Sequence, residues 1–234
     1  MRDSGNNNIS SNNFTSSGIN VYSVYVTGAS SSNKIESNKI VVSGAGSRAV
    51  YLYSDVLSST ISNNTITTKG NDNYGIYTYE NINNSIINSN TFNIYGTNSK
   101  GIRINEMSNY NNLTNNIIFA NNTNGEGIQI TSSSRTQGVG NILANNTVNS
   151  VIYALTLSRA NSTKVYNNIF NSTSKKIVSA LNDASYINKL NTTKTDLSPN
   201  RNIISGIYLG GNWWANSFGT GFSQTCADSN IDGI

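Results

Sequence analysis

IESNKI at residues 35–40 returns as ISNNTI at 61–66 and as INSNTF at 87–92. Each copy reads apolar, any residue, Ser or Asn, Asn, any residue, apolar. Further copies start at Ile9, Leu113, Leu143 and Val165, with a degraded one at Ile187, so successive starts lie 26, 26, 26, 26, 30, 22 and 22 residues apart. A second motif, small-apolar-x-apolar, alternates with the first. It reads SVYV from Ser23, AVYL from Ala49, GIYT from Gly75, GIRI from Gly101, GIQI from Gly127, ALTL from Ala154 and GIYL from Gly206. Both motifs alternate with period two, which is the pattern of a β-strand and not of a helix.

One such strand buries too little to be stable alone. Stacked coils at the inter-strand spacing of about 4.8 Å give every backbone N–H and C=O a partner in the coil above or below. The sequence therefore predicts an all-β chain folded as a single-stranded right-handed parallel β-helix of about eight coils with ~26 residues each, the hand following the usual crossover preference. Two apolar columns should fill its core. One runs Val24, Val50, Ile76, Ile102, Ile128, Leu155, Leu181, Ile207, and the other Phe14, Ile40, Ile66, Phe92, Ile118, Val148, Phe170. Between inward apolar residues stands an Asn column, Asn12, Asn38, Asn64, Asn90, Asn116, Asn146 and Asn168. A sharp turn there favours a residue that tolerates left-handed geometry, and stacked amides can hydrogen-bond along the rod.

Composition agrees with this reading. The chain holds 44 Asn, 35 Ser and 22 Thr among 234 residues, with 27 Ile against 11 Ala and 10 Leu, so helix formers are scarce. Charged residues are 11% and the net charge is +4, which excludes a charged disordered tail. The 15 Lys and Arg are scattered and do not form the concentrated basic face that a nucleic-acid partner requires. With no His and one Cys, His-based acid–base chemistry, the Ser-His-Asp triad and most zinc and copper sites are excluded. No segment is apolar enough to span a membrane or to serve as a signal peptide. N-x-(Ser/Thr) sequons recur from Asn8 to Asn191, as they do by chance in so Asn-rich a chain, and point toward an extracellular setting.

Outward positions of the second motif carry the candidate binding residues. Two residues past the small one lie Tyr25, Tyr51, Tyr77 and Arg103, and four past it lie Tyr53 and Tyr79. These should share one exposed face, with Glu80 and Glu106 just beyond the strand on adjacent coils. Flat aromatic faces with Arg and Glu beside them suit a glycan ligand. Tyr is also simply a good strand residue that pairs well across rungs. A one-coil step sets the backbones of Glu80 and Glu106 about 5 Å apart, near the carboxylate separation of retaining glycosidases, so a catalytic reading with Arg103 stays open. Asp228, Asn230 and Asp232 have the spacing of a calcium loop, without the bidentate Glu that usually closes one.

The IxxN-x-I coils resemble the right-handed β-helix repeats of pectate-lyase-like and NosD-like proteins. The stretch from Gly210 to Ile234, GGNWWANSFGTGFSQTCADSNIDGI, resembles the closing element of adhesin-like surface proteins of methanogenic archaea. That resemblance implies repeats over residues 1–209, lacking an N-terminal cap, followed by an aromatic cap and an Asp/Asn-rich loop over 210–234. In that cap Trp213, Trp214, Phe218 and Phe222 would form an apolar lid. It also implies a fragment of a longer extracellular chain, in which a Cys further on would pair with Cys226 unless that thiol is free. Pectate-lyase-type chemistry would need a calcium-binding acidic cluster, which is thin here, with Arg103 or Lys100 as its basic partner. The copper role suggested for NosD-like proteins finds poor soft donors in two Met, one Cys and no His. The expected function is an extracellular adhesin-like rod that presents its Tyr face to a polysaccharide or cell-surface glycan or protein. The alternatives are a carbohydrate-active enzyme and a purely structural stalk.

Overall fold

The computed structural model describes residues 1–132, 138–174, 178–181 (backbone alone) and 187–227. Asp228, Asn230 and Asp232, the candidate calcium loop, lie outside the described residues. Three parallel sheets run along the rod, and each regular coil contributes one strand to each. Sheet 1 holds seven strands, from Asn8–Ser10 to Lys164–Tyr166. Sheet 2 holds eight, from Asn13–Ser16 to Trp213–Asn216. Sheet 3 holds seven, from Tyr22–Thr27 to Val178–Leu181. The registers repeat the sequence period, as in Ile9↔Ile35↔Ile61 of sheet 1 and Phe14↔Ile40↔Ile66 of sheet 2. Seven strands make six steps, so the solenoid has about six turns of roughly 26 residues, fewer than the eight expected.

The missing turns have a local cause. GIYL at Gly206 does not join sheet 3; its Tyr208–Leu209 pairs antiparallel with Thr195–Asp196. Ile207 therefore leaves the core column in which the period placed it. In the last strand of sheet 3 the partner of Leu155 is Val178, and Leu181 pairs with Ser158. The short 22-residue interval shifts the register there. The degraded motif copy at Ile187 supplies no strand to sheet 1, and an isolated bridge from Lys164 to Lys189 stands in its place.

The inner columns otherwise hold. Val50, Ile76, Ile102 and Ile128 are fully buried, as are Ile40, Ile66, Phe92, Ile118, Val148 and Phe170. Each such side chain contributes about 1.5–3 kcal/mol of hydrophobic free energy. Trp214 extends the second column by pairing with Phe170 and stacking on its ring at 4.8 Å.

The Asn column lies at the corner between sheets 1 and 2 and forms a continuous ladder. The backbone N–H of each member donates to the side-chain Oδ1 of the member in the following coil, at 2.8–3.0 Å from Asn12 to Asn168. Each Nδ2 donates to that same oxygen, and most reach back to a carbonyl of the preceding coil, as Asn90 does to Ile61. Asn212 adds an eighth member by accepting from Asn168 at 3.2 and 2.8 Å. The left-handed residue is not the ladder Asn but the one before it: Ser11, Ser37, Asn63, Ser89, Asn115, Asn145 and Asn167 have φ of 53–60°. That residue turns the chain and aims the following amide inward. Asn is used at the ladder for its two-sided hydrogen bonding, which a buried corner requires.

The other two corners use the same device with mixed residues. Between sheets 3 and 1, Asn7, Asn33, Ser59, Ser85, Asn111 and Asn141 are linked through backbone N–H to side-chain oxygen. Between sheets 2 and 3, Val21, Ser47, Asn73 and Ser99 are linked in the same way.

Candidate functional site

The small residue that opens each sheet-3 motif is needed for packing. A Cβ on Gly101 would stand 2.6 Å from Ile118 Cγ2, and one on Gly75 2.6 Å from Phe92 Cδ1. Sheet 2 presses its core column against this position. The small residue and the next one, such as Gly101 and Ile102, are both buried, which breaks the period-two alternation. As a result the residue before the small one lies on the outer face. Three outward rows follow, not two.

The first row is Tyr22↔Arg48↔Tyr74↔Lys100↔Glu126. The second is Tyr25↔Tyr51↔Tyr77↔Arg103↔Gln129↔Thr156, and the third Thr27↔Tyr53↔Tyr79↔Asn105↔Thr131. The structure thus brings together Tyr25, Tyr51, Tyr53, Tyr77, Tyr79 and Arg103, as the spacing indicated. It adds Tyr22, Arg48, Tyr74, Lys100 and Glu126, which strict alternation had turned away from this face. Their 26-residue spacing was visible in the sequence.

The rings do not lie flat against solvent. Tyr51 and Tyr77 stack at 5.3 Å with planes 5° apart, Tyr25 stacks on Tyr51 at 5.3 Å, and Tyr53 on Tyr79 at 5.8 Å. Faces meet along the rod axis, which leaves Tyr51 and Tyr77 only 9% and 8% exposed. What the surface presents is ring edges and hydroxyls. The Tyr74 hydroxyl accepts from Arg103 Nη1 at 3.1 Å, and the Tyr77 hydroxyl from Asn105 Nδ2 at 3.1 Å. Among the described residues the hydroxyls of Tyr25, Tyr51, Tyr53 and Tyr79 have no partner, and none is a buried unsatisfied atom, so they open to solvent.

Cations are inserted between the rings. The Arg48 guanidinium lies 5.0–5.6 Å from the ring centres of Tyr22, Tyr51, Tyr74 and Tyr77. The Arg103 guanidinium lies 5.7 and 5.4 Å from those of Tyr74 and Tyr77. These are cation–π distances. Lys100 pairs with Glu126 at 3.5 Å, and Glu126 also accepts from Gln129 and Thr156. Burial pushes the Tyr51 phenol well above the ordinary tyrosine range, with the neighbouring Tyr77 adding to the effect. Burial also raises Tyr77, against the opposing pull of Arg103.

Glu80 and Glu106 stand one coil apart on the turn that leaves sheet 3, both left-handed with φ of 66° and 41°. The Asn81 backbone N–H donates to the Glu106 carbonyl at 3.2 Å, and Asn81 Nδ2 also donates to the Asp55 carboxylate. Among the described residues no three His, Cys, Asp or Glu side chains come together. A separate cavity of about 330 Å³ lies at the other end of the rod, lined by Leu190, Ile203, Ile204, Trp213, Trp214, Phe222 and Cys226 among others.

A family model described as "Periplasmic copper-binding protein (NosD)" matches residues 93–219. No curated protein and no solved structure matches the chain. The copper named in that description does not fit the residues here. The soft donors Met1, Met107 and Cys226 sit in three separate places: against the first coil, on the turn after Asn105, and exposed after the terminal helix Phe222–Thr225. Among the described residues no helix is long and apolar enough to cross a membrane. The matched span covers more than half of the sequence, and the repeats it describes are the coils seen here: the chain belongs to the NosD family of parallel β-helix proteins, a family described as periplasmic.

Proposed function

We propose that the chain is a non-catalytic, adhesin-like β-helix rod of the extracellular or cell-surface space that binds polysaccharide along sheet 3. The observation that carries this reading is the row of solvent-facing phenol hydroxyls, repeated at the coil step of about 4.8 Å. A sugar polymer laid along the axis offers hydroxyls at a comparable repeat. The ring stacks hold the phenols rigid, so little conformational entropy is lost on binding. Recognition is by ring edge and hydroxyl, since the faces of Tyr51 and Tyr77 are taken up by each other. The exposed ring of Tyr22, at the N-terminal end of the stacks, is one surface on which a sugar ring can stack.

The test is a glycan array probed with the intact chain and with a triple Tyr51→Phe/Tyr53→Phe/Tyr79→Phe variant. The Phe variant keeps the stacks and removes three hydroxyls. We expect polysaccharide binding to fall at least tenfold while the melting temperature changes little. Equal binding by the folded variant would sink the hydroxyl-row reading. Release of sugar fragments by the chain, abolished in Glu80→Gln/Glu106→Gln, would replace it with the enzymatic one.

A further inference from the structure

The binding reading leaves the two guanidiniums on the face unexplained. Arg48 and Arg103 belong to coils two steps apart, about 10 Å along the axis. Tyr77 stands between them, 5.0 Å from Arg48 and 5.4 Å from Arg103. Neither has a carboxylate within ion-pair distance among the described residues, where the two ion pairs are Arg2 with Asp3 and Lys100 with Glu126. Burial favours the neutral forms of the Tyr51 and Tyr77 phenols, so those two do not compensate them.

The donors are partly committed. Arg48 Nη1 donates to the Gly46 carbonyl at 3.2 Å and Arg103 Nη1 to the Tyr74 hydroxyl at 3.1 Å. Both Nε atoms are buried without a hydrogen-bond partner, a condition that costs free energy. Each guanidinium keeps Nη2, which is not a buried atom, as an open donor edge. Stacking on the rings fixes these positive edges in place.

We infer that the sheet-3 face takes an anionic polysaccharide whose carboxylate or sulfate groups recur on every second sugar, held directly by Arg48 and Arg103 without a bridging metal ion. Two coil steps span about the length of two sugar units, so each repeat of the polymer meets one guanidinium. The stacked Tyr74–Tyr77 pair faces the uncharged sugar between them. Lys100 is matched internally by Glu126 and contributes little net charge. This inference rests on the polysaccharide reading of the same face and adds the sign and the period of the ligand's charge.

The experiment is isothermal titration of the intact chain in a chelating buffer at low salt. The probes are hyaluronan, which carries a carboxylate on alternate sugars, carboxyl-reduced hyaluronan, chondroitin sulfate and single-stranded poly(U). We expect hyaluronan or chondroitin sulfate to bind at least tenfold more tightly than the reduced polymer, with affinity falling as salt rises. Chondroitin sulfate carries both groups in each repeat, so tighter binding of hyaluronan than of its reduced form assigns the carboxylate, and binding of chondroitin sulfate with no difference between native and reduced hyaluronan assigns the sulfate. Arg48→Gln/Arg103→Gln should abolish the preference, and Arg48→Lys/Arg103→Lys should retain most of it, because charge and not packing is at issue. Equal binding of hyaluronan, chondroitin sulfate and the reduced polymer overturns the inference and leaves the polysaccharide reading standing. Binding of no polysaccharide removes both. Tightest binding to poly(U), or a strict calcium requirement, also overturns it. The comparison of hyaluronan, chondroitin sulfate and the reduced polymer needs no variant, so a failure of the double Gln chain to fold leaves the test intact.

Discussion

Replacing Asn90 with Ala removes one of the most densely bonded rungs of the main ladder. Its Oδ1 accepts from the Asn64 backbone N–H at 3.0 Å and from Asn64 Nδ2 at 2.9 Å. Its Nδ2 donates to Ile61 O at 2.9 Å, Asn88 O at 3.1 Å and Asn116 Oδ1 at 3.1 Å. Asn90 is fully buried and Asn64 is 1% exposed, so water cannot replace the lost partner without opening the corner. Stranding the Asn64 N–H costs about 1–3 kcal/mol, and the remaining bonds add about 0.5–1.5 kcal/mol each, less whatever relaxation recovers. We expect a loss of about 3–5 kcal/mol in urea unfolding followed by far-ultraviolet circular dichroism. Two controls calibrate it. Asn93→Ala, on the outer face of the same coil, should stay within about 0.5 kcal/mol. Asn12→Ala, at the exposed first rung, should cost under about 1 kcal/mol, because its Oδ1 receives no ladder bond. A cost for Asn90→Ala below 1 kcal/mol, or equal to that of Asn93→Ala, would refute the claim that the amide ladder holds the corner.

Other consequences can be checked independently. Gly101→Ala should destabilise by about 1–3 kcal/mol in the same assay, because the new methyl meets Ile118 Cγ2 at 2.6 Å and the Gly127 carbonyl at 2.8 Å. In an alkaline spectrophotometric titration, Tyr51 and Tyr77 should ionise above the range of the exposed tyrosines, and later than they do in the unfolded chain. Their neutral forms are favoured by the fold, so the stability they contribute is intact below pH ~10 and declines above it, as the unfolded chain releases protons that the folded one keeps. Unfolding midpoints that do not fall between pH 9 and pH 12 would contradict the buried stack. Arg48→Ala should lower the melting temperature measurably, since it removes a cation ringed by four tyrosines; an unchanged value would mean that those contacts are idle.

The parts of the fold legible in the sequence are those that repeat. The 26-residue step located the ladder from Asn12 to Asn168 and the column from Phe14 to Phe170 because each coil must bury the same positions to stack. Legibility ended where the repeat is broken by local geometry. Two successive buried residues at Gly101 and Ile102 reverse the alternation, which hid the Tyr22 row although its spacing was plain. The left-handed residue precedes the ladder Asn, a distinction that composition cannot make when Ser and Asn fill both places. Counting in steps of 26 also failed past Leu155, where the shortened coil brings Val178 and not Leu181 beside it. Asn212 was legible in principle: Leu209-Gly-Gly-Asn-Trp-Trp214 repeats the apolar spacing of the ladder motif, but its glycines and tryptophans read more readily as a cap. The charge pattern of the face was beyond sequence reasoning, because it depends on which row Arg48 joins.

Hydroxyl-radical footprinting of the tyrosines, with and without a binding polysaccharide, tests the sheet-3 assignment most directly. Tyr95 and Tyr110 lie outside the sheet-3 strands and are 55% and 59% exposed, so they serve as internal references. The account predicts protection of Tyr22, Tyr25, Tyr53 and Tyr79 with Tyr95 and Tyr110 unchanged. Protection of Tyr95 or Tyr110 without the sheet-3 tyrosines would contradict it.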